Sequence, residues 1–231
     1  MLGVAALSPS SETPWLAYPS GGDGAVQVFN TVSLQPVCAI QAHRTAINKL
    51  AFDFEGTMLA TASDRGTILR VFSLPSGKKL HQFRRGTYPA TIYSLSFSLN
   101  SSMLCVSSDS DTVHIFKVHP ESDSATEPEP IDAPNTTGRQ AMLAAFLPER
   151  LGEAIESTRD FCHLKLPSSG VPSLVAMVDA TVMVIMSTGV FLVYKADLAL
   201  GGECSLLRRY ALQQRRDRGE QASIASSNYS L

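Results

Sequence analysis

The apolar residues of this chain fall into short alternating runs broken by turn residues. "VQVFN", "LATAS", "ILRVF" and "VHIFK" are each five residues long and are bounded by Gly, Ser, Asp, Asn or Pro. That is the pattern of half-buried β-strands joined by tight turns. The runs also repeat. "INKLAFDFEGTMLATASDRGT" from Ile47 and "IYSLSFSLNSSMLCVSSDSDT" from Ile92 superimpose at a constant offset of 45, which sets Leu50 on Leu95, Phe52 on Phe97, Met58-Leu59 on Met103-Leu104, Ser63 on Ser108 and Thr67 on Thr112. A weaker mark recurs as an aromatic closing a strand at Phe29, Phe72, Phe116 and Tyr194, at intervals of 43, 44 and 78.

The first two intervals match the ~40–45-residue period of a WD-type β-propeller blade, and the third is one period plus an insertion of some 35 residues. Each unit reads as four short strands. In the second, "LAF", "LATAS" and "ILRVF" are the inner three and "KLHQF" is the outer one. The predicted fold is an all-β, WD-type β-propeller of four blades, over roughly 1–42, 43–88, 89–170 and 171–212, with a long partly helical loop at about 119–158 and a disordered polar tail over 213–231. The alternative for such a pattern is a β-sandwich. The most apolar stretch, "SLVAMVDATVMVIMSTGVFLVY", is heavily β-branched and interrupted by Asp179 and Gly189, which predicts two buried strands and not a membrane helix.

Composition narrows the function. A hydrophobic content of 44% with 17% charge belongs to an ordered globular protein. A formal net charge of −2 argues against a general nucleic-acid binder, which is usually clearly basic. Four scattered cysteines, Cys38, Cys105, Cys162 and Cys204, contain no CxxC pair and read as reduced thilols of a cytoplasmic protein with no metal site. No GxSxG elbow, HExxH, GxxxxGK loop or paired carboxylates in a recognisable context occur, so no enzyme and no cofactor are expected.

The candidate chemistry lies at "FRRG". Arg84 and Arg85 end an outer strand with no acidic neighbour in sequence. Consecutive residues of an extended chain point to opposite sides, so the two guanidinium groups are expected to serve two pockets. The planar guanidinium fork suits phosphate and stays charged at every relevant pH. Gly86 would allow a tight turn and close approach.

"FRRG", followed by "SLSFS" and "SSDSDTVHIFKV" and preceded by "LAYPSGGDGAVQVFNT" and "AFDFEGTMLATASDRGTILRVFSLPSGKKL", resembles the PROPPIN family, the β-propellers that bind polyphosphoinositides: the animal WD-repeat proteins interacting with phosphoinositides and the fungal Atg18-like group. The resemblance implies seven blades in a complete member, so this chain is expected to be a truncated member carrying blades four to seven. It implies a peripheral, non-enzymatic effector that recognises phosphatidylinositol 3-phosphate and phosphatidylinositol 3,5-bisphosphate, is recruited to preautophagosomal and endosomal membranes, and acts in autophagosome formation. Autophagy proteins are implied partners, although the missing early blades would remove surfaces that recruit them.

Carried over position by position, the family's binding residues fall in two sets. Around Arg84 stand Thr61, Ser63, Gly66, Thr67 and Arg70, with His43 either a further member or the ordinary turn-ordering histidine of a WD repeat. Around Arg85 stand Ser108, Thr112 and His114, and Gly86 follows the pair as a further binding position. Without the family, Ser63 and Ser108 would read as turn residues. In the insertion, "HPESDSATEPEPIDAPNTTG" is acidic and Pro-rich, and "RQAMLAAFLPERLGEAIESTRD" is predicted helical, with Pro148 opening a second segment. The resemblance gives Met142, Leu143, Phe146 and Leu147 to membrane insertion; a helix packed on the propeller's flank is the other reading. A WD scaffold that binds proteins and no lipid is the alternative function.

Overall fold

The computed structural model describes residues 4–118 and 158–212. The polar tail, nearly all of the long loop and its four membrane-insertion candidates, Met142, Leu143, Phe146 and Leu147, lie outside the described residues. The rest is all β, in four sheets that are antiparallel apart from one short strand. The first holds β1 (Ala6–Leu7), β2 (Trp15–Pro19), β3 (Ala25–Asn30) and β4 (Gln35–Gln41). The second holds β5 (Ile47–Phe52), β6 (Met58–Ser63), β7 (Ile68–Ser73) and β8 (Lys79–Arg84). The third runs β9 (Ile92–Phe97), β10 (Met103–Ser108), β11 (Thr112–Lys117) and β12 (Cys162–Lys165), and the fourth β13 (Ser173–Val178), β14 (Thr181–Met186), β15 (Val190–Lys195) and β17 (Ser205–Ala211). Between β15 and β17 the chain leaves its own sheet. There β16 (Gly202–Glu203) adds to the third sheet as a short parallel strand on the outer edge of β12.

The strands that open each sheet stand side by side, β1 by β5, β5 by β9 and β9 by β13, so the sheets radiate like blades. The second and third sheets must then bury both faces, and the sequence supplies both. In β10, Leu104 and Val106 enter the core shared with the second sheet, while Met103 and Cys105 enter the core shared with the fourth. The repeat partner β6 does likewise, with Leu59 turned to the first sheet and Met58, Ala60 and Ala62 to the third. Both strands are buried at all six positions.

The 45-residue offset has a hydrogen-bonding basis. The turn after β5 is closed by Asp53 Oδ1 accepting from the Met58 N–H at 2.8 Å. The turn after β9 is closed by Ser98 Oγ accepting from the Met103 N–H at 2.9 Å. At the other end, the Asp64 N–H donates to Ala46 O and the Asp109 N–H to Thr91 O. Different side chains therefore serve one backbone geometry at matched positions.

The apolar stretch expected to give two buried strands gives three. Asp179, at φ 50, and Ala180 form a two-residue hairpin between Val178 and Thr181, and Gly189, at φ 80, opens the next. The interruptions are turns. Only one face is covered: along β13 Ser173, Val175 and Met177 are buried and Leu174, Ala176 and Val178 are exposed.

All four cysteines are free thiols. Cys105, Cys162 and Cys204 share the core between the third and fourth sheets, where burial pushes the Cys105 and Cys204 thiols up to about 12. Cys38 is half-buried.

A ladder of four rings fastens the second sheet to the third. His81 stacks on Phe83 at 5.4 Å, Phe83 on Phe116 at 4.8 Å, and Phe116 on His114 at 6.3 Å. Phe83 is 2% exposed, and it stands immediately before the arginine pair. Replacing Phe83 by Ala is expected to cost about 3–5 kcal/mol of stability, read as a fall in the urea midpoint with the slope unchanged.

Candidate functional site

The arginine pair is set by its backbone. The Arg84 N–H donates outward to Thr158 O at 2.9 Å, and the Arg85 N–H donates inward to Thr67 O at 2.9 Å. Thr158, where the chain returns from the long insertion, bridges Phe83 in parallel and gives its own N–H to Gln82 O at 3.0 Å. Successive N–H groups that point to opposite edges define an extended chain, and in an extended chain successive side chains take opposite faces.

Arg84 faces a cavity of about 470 Å³, lined also by His43, Ser63, Thr67 and Arg70. Of the residues that sequence reasoning gave to this side, those five are brought together on the cavity wall. Arg44, Thr45, Arg65, Ile68, Thr87 and Pro89 complete the wall and were missed. Arg44 adjoins His43 and Arg65 adjoins Gly66, so the signal available was the density of arginine on two turns at one end of neighbouring strands. Four guanidinium groups, Arg44, Arg65, Arg70 and Arg84, thus bound one cavity. Among the described residues Arg84 makes no ion pair.

Thr61 and Gly66 serve from behind. Thr61 is fully buried and belongs to a closed ring of hydrogen bonds. Arg70 Nη1 lies 3.4 Å from His43 Nδ1, His43 Nε2 lies 2.9 Å from Thr61 Oγ1, and Thr61 Oγ1 donates to Arg70 O at 3.4 Å. Arg70 has no acceptor atoms on its guanidinium, so it must donate to Nδ1, and the ring proton of His43 sits on Nε2. Arg70 is braced further by Nη1 on Ala42 O at 2.7 Å and Nε on Gln82 Oε1 at 2.8 Å. Burial, with the Arg70 charge second, pulls the His43 pKa down to about 4. His43 therefore lines the cavity and also orders the turn: its two readings are one arrangement. Gly66 adopts φ +58, and a Cβ there would lie 2.0 Å from Ala90 O.

Arg85 turns the other way and is 9% exposed. Its Nε donates to Gly66 O and its Nη2 to Tyr88 O, both at 2.7 Å. Two carbonyls hold the guanidinium plane, and Nη1 has no hydrogen-bond partner among the described residues. Burial lowers its pKa, and the carboxylate of Asp109 opposes that. Arg85 lies near enough to His114 to disfavour that ring's protonation. The remaining residues expected on this side are spread out. Ser108 is buried with Oγ 2.9 Å from Ser110 Oγ, a turn contact. Thr112 donates to Asp111 Oδ1 at 3.1 Å. His114, on the same face of β11 as Thr112, meets Asp160, which sequence reasoning did not name. Gly86 does not adopt a positive φ, a Cβ there would meet nothing within 4 Å, and the chain bends just after it at Thr87 and Tyr88. The strained glycine of the site is Gly66. Among the described residues no group of three His, Cys, Asp or Glu is arranged to hold a metal ion.

The family model for PROPPIN matches residues 1–213. The chain belongs to the PROPPIN family. Curated relatives to which it is similar include Autophagy-related protein 18 of Dictyostelium discoideum, 40% identical over 223 residues, covering 91% of this chain and 59% of that protein. Autophagy-related protein 18 of Mycosarcoma maydis is 38% identical over 289 residues, covering 91% and 64%. The chain thus spans 59% to 64% of the length of these two relatives. Its fold is similar to that of Kluyveromyces lactis Hsv2p, with a TM-score of 0.68 at 21% identity over 92% of this chain and 62% of that one. It is similar also to KlAtg21, solved in complex with the coiled-coil of AgAtg16, with a TM-score of 0.65 at 21% identity over 90% and 57%. This PROPPIN chain therefore has the β-propeller architecture of its family in the four sheets described.

The buried His43 gives the site a pH signature. Its folded pKa, about 4, lies below the ordinary 6.5, so the unfolded chain binds the proton first. The stability it contributes is complete above about pH 6.5 and is lost as pH falls through about 4. A shift of this size corresponds to about 3 kcal/mol. Chemical denaturation across that window is expected to show the loss, and His43→Gln is expected to flatten it.

Proposed function

We propose that this chain is a peripheral, non-enzymatic phosphoinositide reader acting in autophagosome formation, with phosphatidylinositol 3-phosphate and phosphatidylinositol 3,5-bisphosphate as its lipids. The observation that carries the reading is the divergence of Arg84 and Arg85 from one extended segment. Arg84 enters a cavity bounded by three further arginines. Arg85 is braced on two carbonyls on the side of His114. A phosphomonoester carries about −1.5 to −2 charges near neutral pH and is matched by donors that cannot lose their charge. The pair Ser63 and Thr67 adds hydroxyls to the first cavity wall. Two shallow sites on one rim gain from a shared membrane through effective concentration, by about 10²-fold. The autophagy-related names of the curated relatives support the cellular setting. By the same reading the protein is cytoplasmic and is recruited to preautophagosomal and endosomal membranes, with Met142, Leu143, Phe146 and Leu147 as the inserting residues.

A second reading, a protein-binding scaffold, draws on KlAtg21, whose structure was solved with the coiled-coil of AgAtg16. Arginine replacement separates the two. Because Arg85 also ties Gly66 and Tyr88 together, Arg84→Thr is the cleaner variant. In liposome flotation with phosphatidylinositol 3-phosphate, Arg84→Thr is expected to lose about tenfold in affinity, and the Arg84→Thr, Arg85→Thr double variant to fall to the level of lipid-free controls. Undiminished flotation by Arg84→Thr with an unchanged circular-dichroism spectrum would favour the scaffold.

A further inference from the structure

The proposed second site, on the Arg85 side, has a member that no motif announces. His114 Nδ1 lies 3.0 Å from Asp160 Oδ2. His163, paired with His114 across β11 and β12, has its Nδ1 3.6 Å from the same oxygen. A carboxylate accepts and does not donate. The 3.0 Å bond therefore fixes the His114 proton on Nδ1, and Nε2 has no hydrogen-bond partner among the described residues.

That tautomer has a chemical consequence. A neutral ring with its proton on Nδ1 shows a lone pair at Nε2, which repels a phosphate oxygen. Only the doubly protonated ring offers an N–H there. Burial foremost, and also the Arg85 and His163 charges, favour the neutral ring, while the Asp160 carboxylate favours the cation. An arriving phosphate would add negative charge on the other side of the imidazole, tipping that balance.

We propose that Asp160 is a positioning residue of the Arg85 pocket, holding His114 so that the ring takes up one proton as a phosphomonoester enters and donates from Nε2 to it. The Nδ1–H stays on Asp160, one solvent proton is consumed per phosphate bound, and no covalent bond changes. This rests on the phosphoinositide reading of that pocket. The other charged and titratable groups around it are His163 on β12, which competes for Asp160 Oδ2, Asp109 beside Arg85, Lys165 opposite Thr112, Asp111 on Thr112, and His81 at the far end of the ring ladder. Lys117 is directed elsewhere, with its Nζ 3.6 Å over the Phe161 ring.

Asp160→Asn is the informative variant, because the amide oxygen still accepts from Nδ1–H and the charge is gone. Asp160→Glu restores the charge. Binding to phosphatidylcholine vesicles carrying phosphatidylinositol 3-phosphate, to soluble inositol 1,3-bisphosphate and to inorganic phosphate is measured at about pH 7.5 and about pH 6, with the His114 ring followed by NMR. Headgroup ionisation is the same for every variant and cancels in the comparison. Wild type and Asp160→Glu are expected to gain about threefold or more in affinity on acidification relative to Asp160→Asn, with the His114 pKa rising on binding. Parallel pH profiles for wild type and Asp160→Asn, with binding intact, would overturn the role of Asp160 and leave the lipid reading standing. A folded wild type that binds no inositol phosphate at either pH overturns both. Equal proton uptake with inorganic phosphate and no preference for the inositol headgroup would overturn the lipid assignment of this pocket.

Discussion

The site depends on four residues being kept straight. Gln82 to Arg85 are hydrogen-bonded on both edges, to β7 and Thr67 on one side and to Thr158 on the other. An outer strand would ordinarily present one unpaired edge, free to bend or bulge. Here the returning chain at Thr158 occupies that edge, and the Arg84 and Arg85 amides are drawn in opposite directions. The separation of the two guanidinium groups is a consequence of backbone pairing and needs no special property of either side chain.

The two arginines are prepared differently. Arg84 lines a cavity bounded by three further arginines and makes no ion pair among the described residues. Arg85 is buried and oriented by carbonyl oxygens, so its entropic cost of ordering is met on folding. In the proposed reading, an arginine in an arginine-lined cavity on one side and a fixed donor on the other are complementary ways of recognising the same kind of ligand.

Much of the scaffold was legible because the repeat encodes turn chemistry locally: Asp53 and Ser98 close equivalent turns with their neighbours five residues on, and strand alternation sends Leu104 one way and Cys105 the other. The opposed directions of Arg84 and Arg85 followed from strand geometry. What escaped sequence reading depends on contacts between distant residues. The Thr158 clamp joins positions 76 apart from Gln82, β16 is two residues of a loop captured by a neighbouring sheet, and Asp160 meets His114 across the whole insertion. Local pattern also miscounted the apolar run, whose interruptions at Asp179 and Gly189 are both turns and so separate three strands where two were expected. Gly66 was reached only through the resemblance, because its conformation is required by packing against the distant Ala90.

The sulfur-lined seam between the third and fourth sheets gives the molecule a native gauge of its own cohesion. Thiolate is the form that alkylating reagents attack, and at neutral pH Cys105 and Cys204, held near 12, have almost none of it. Cys38 lies elsewhere and is half-buried, its own thiol also raised by burial, whereas Cys105, Cys162 and Cys204 are enclosed between two blades, so a reagent meets them only as that seam parts.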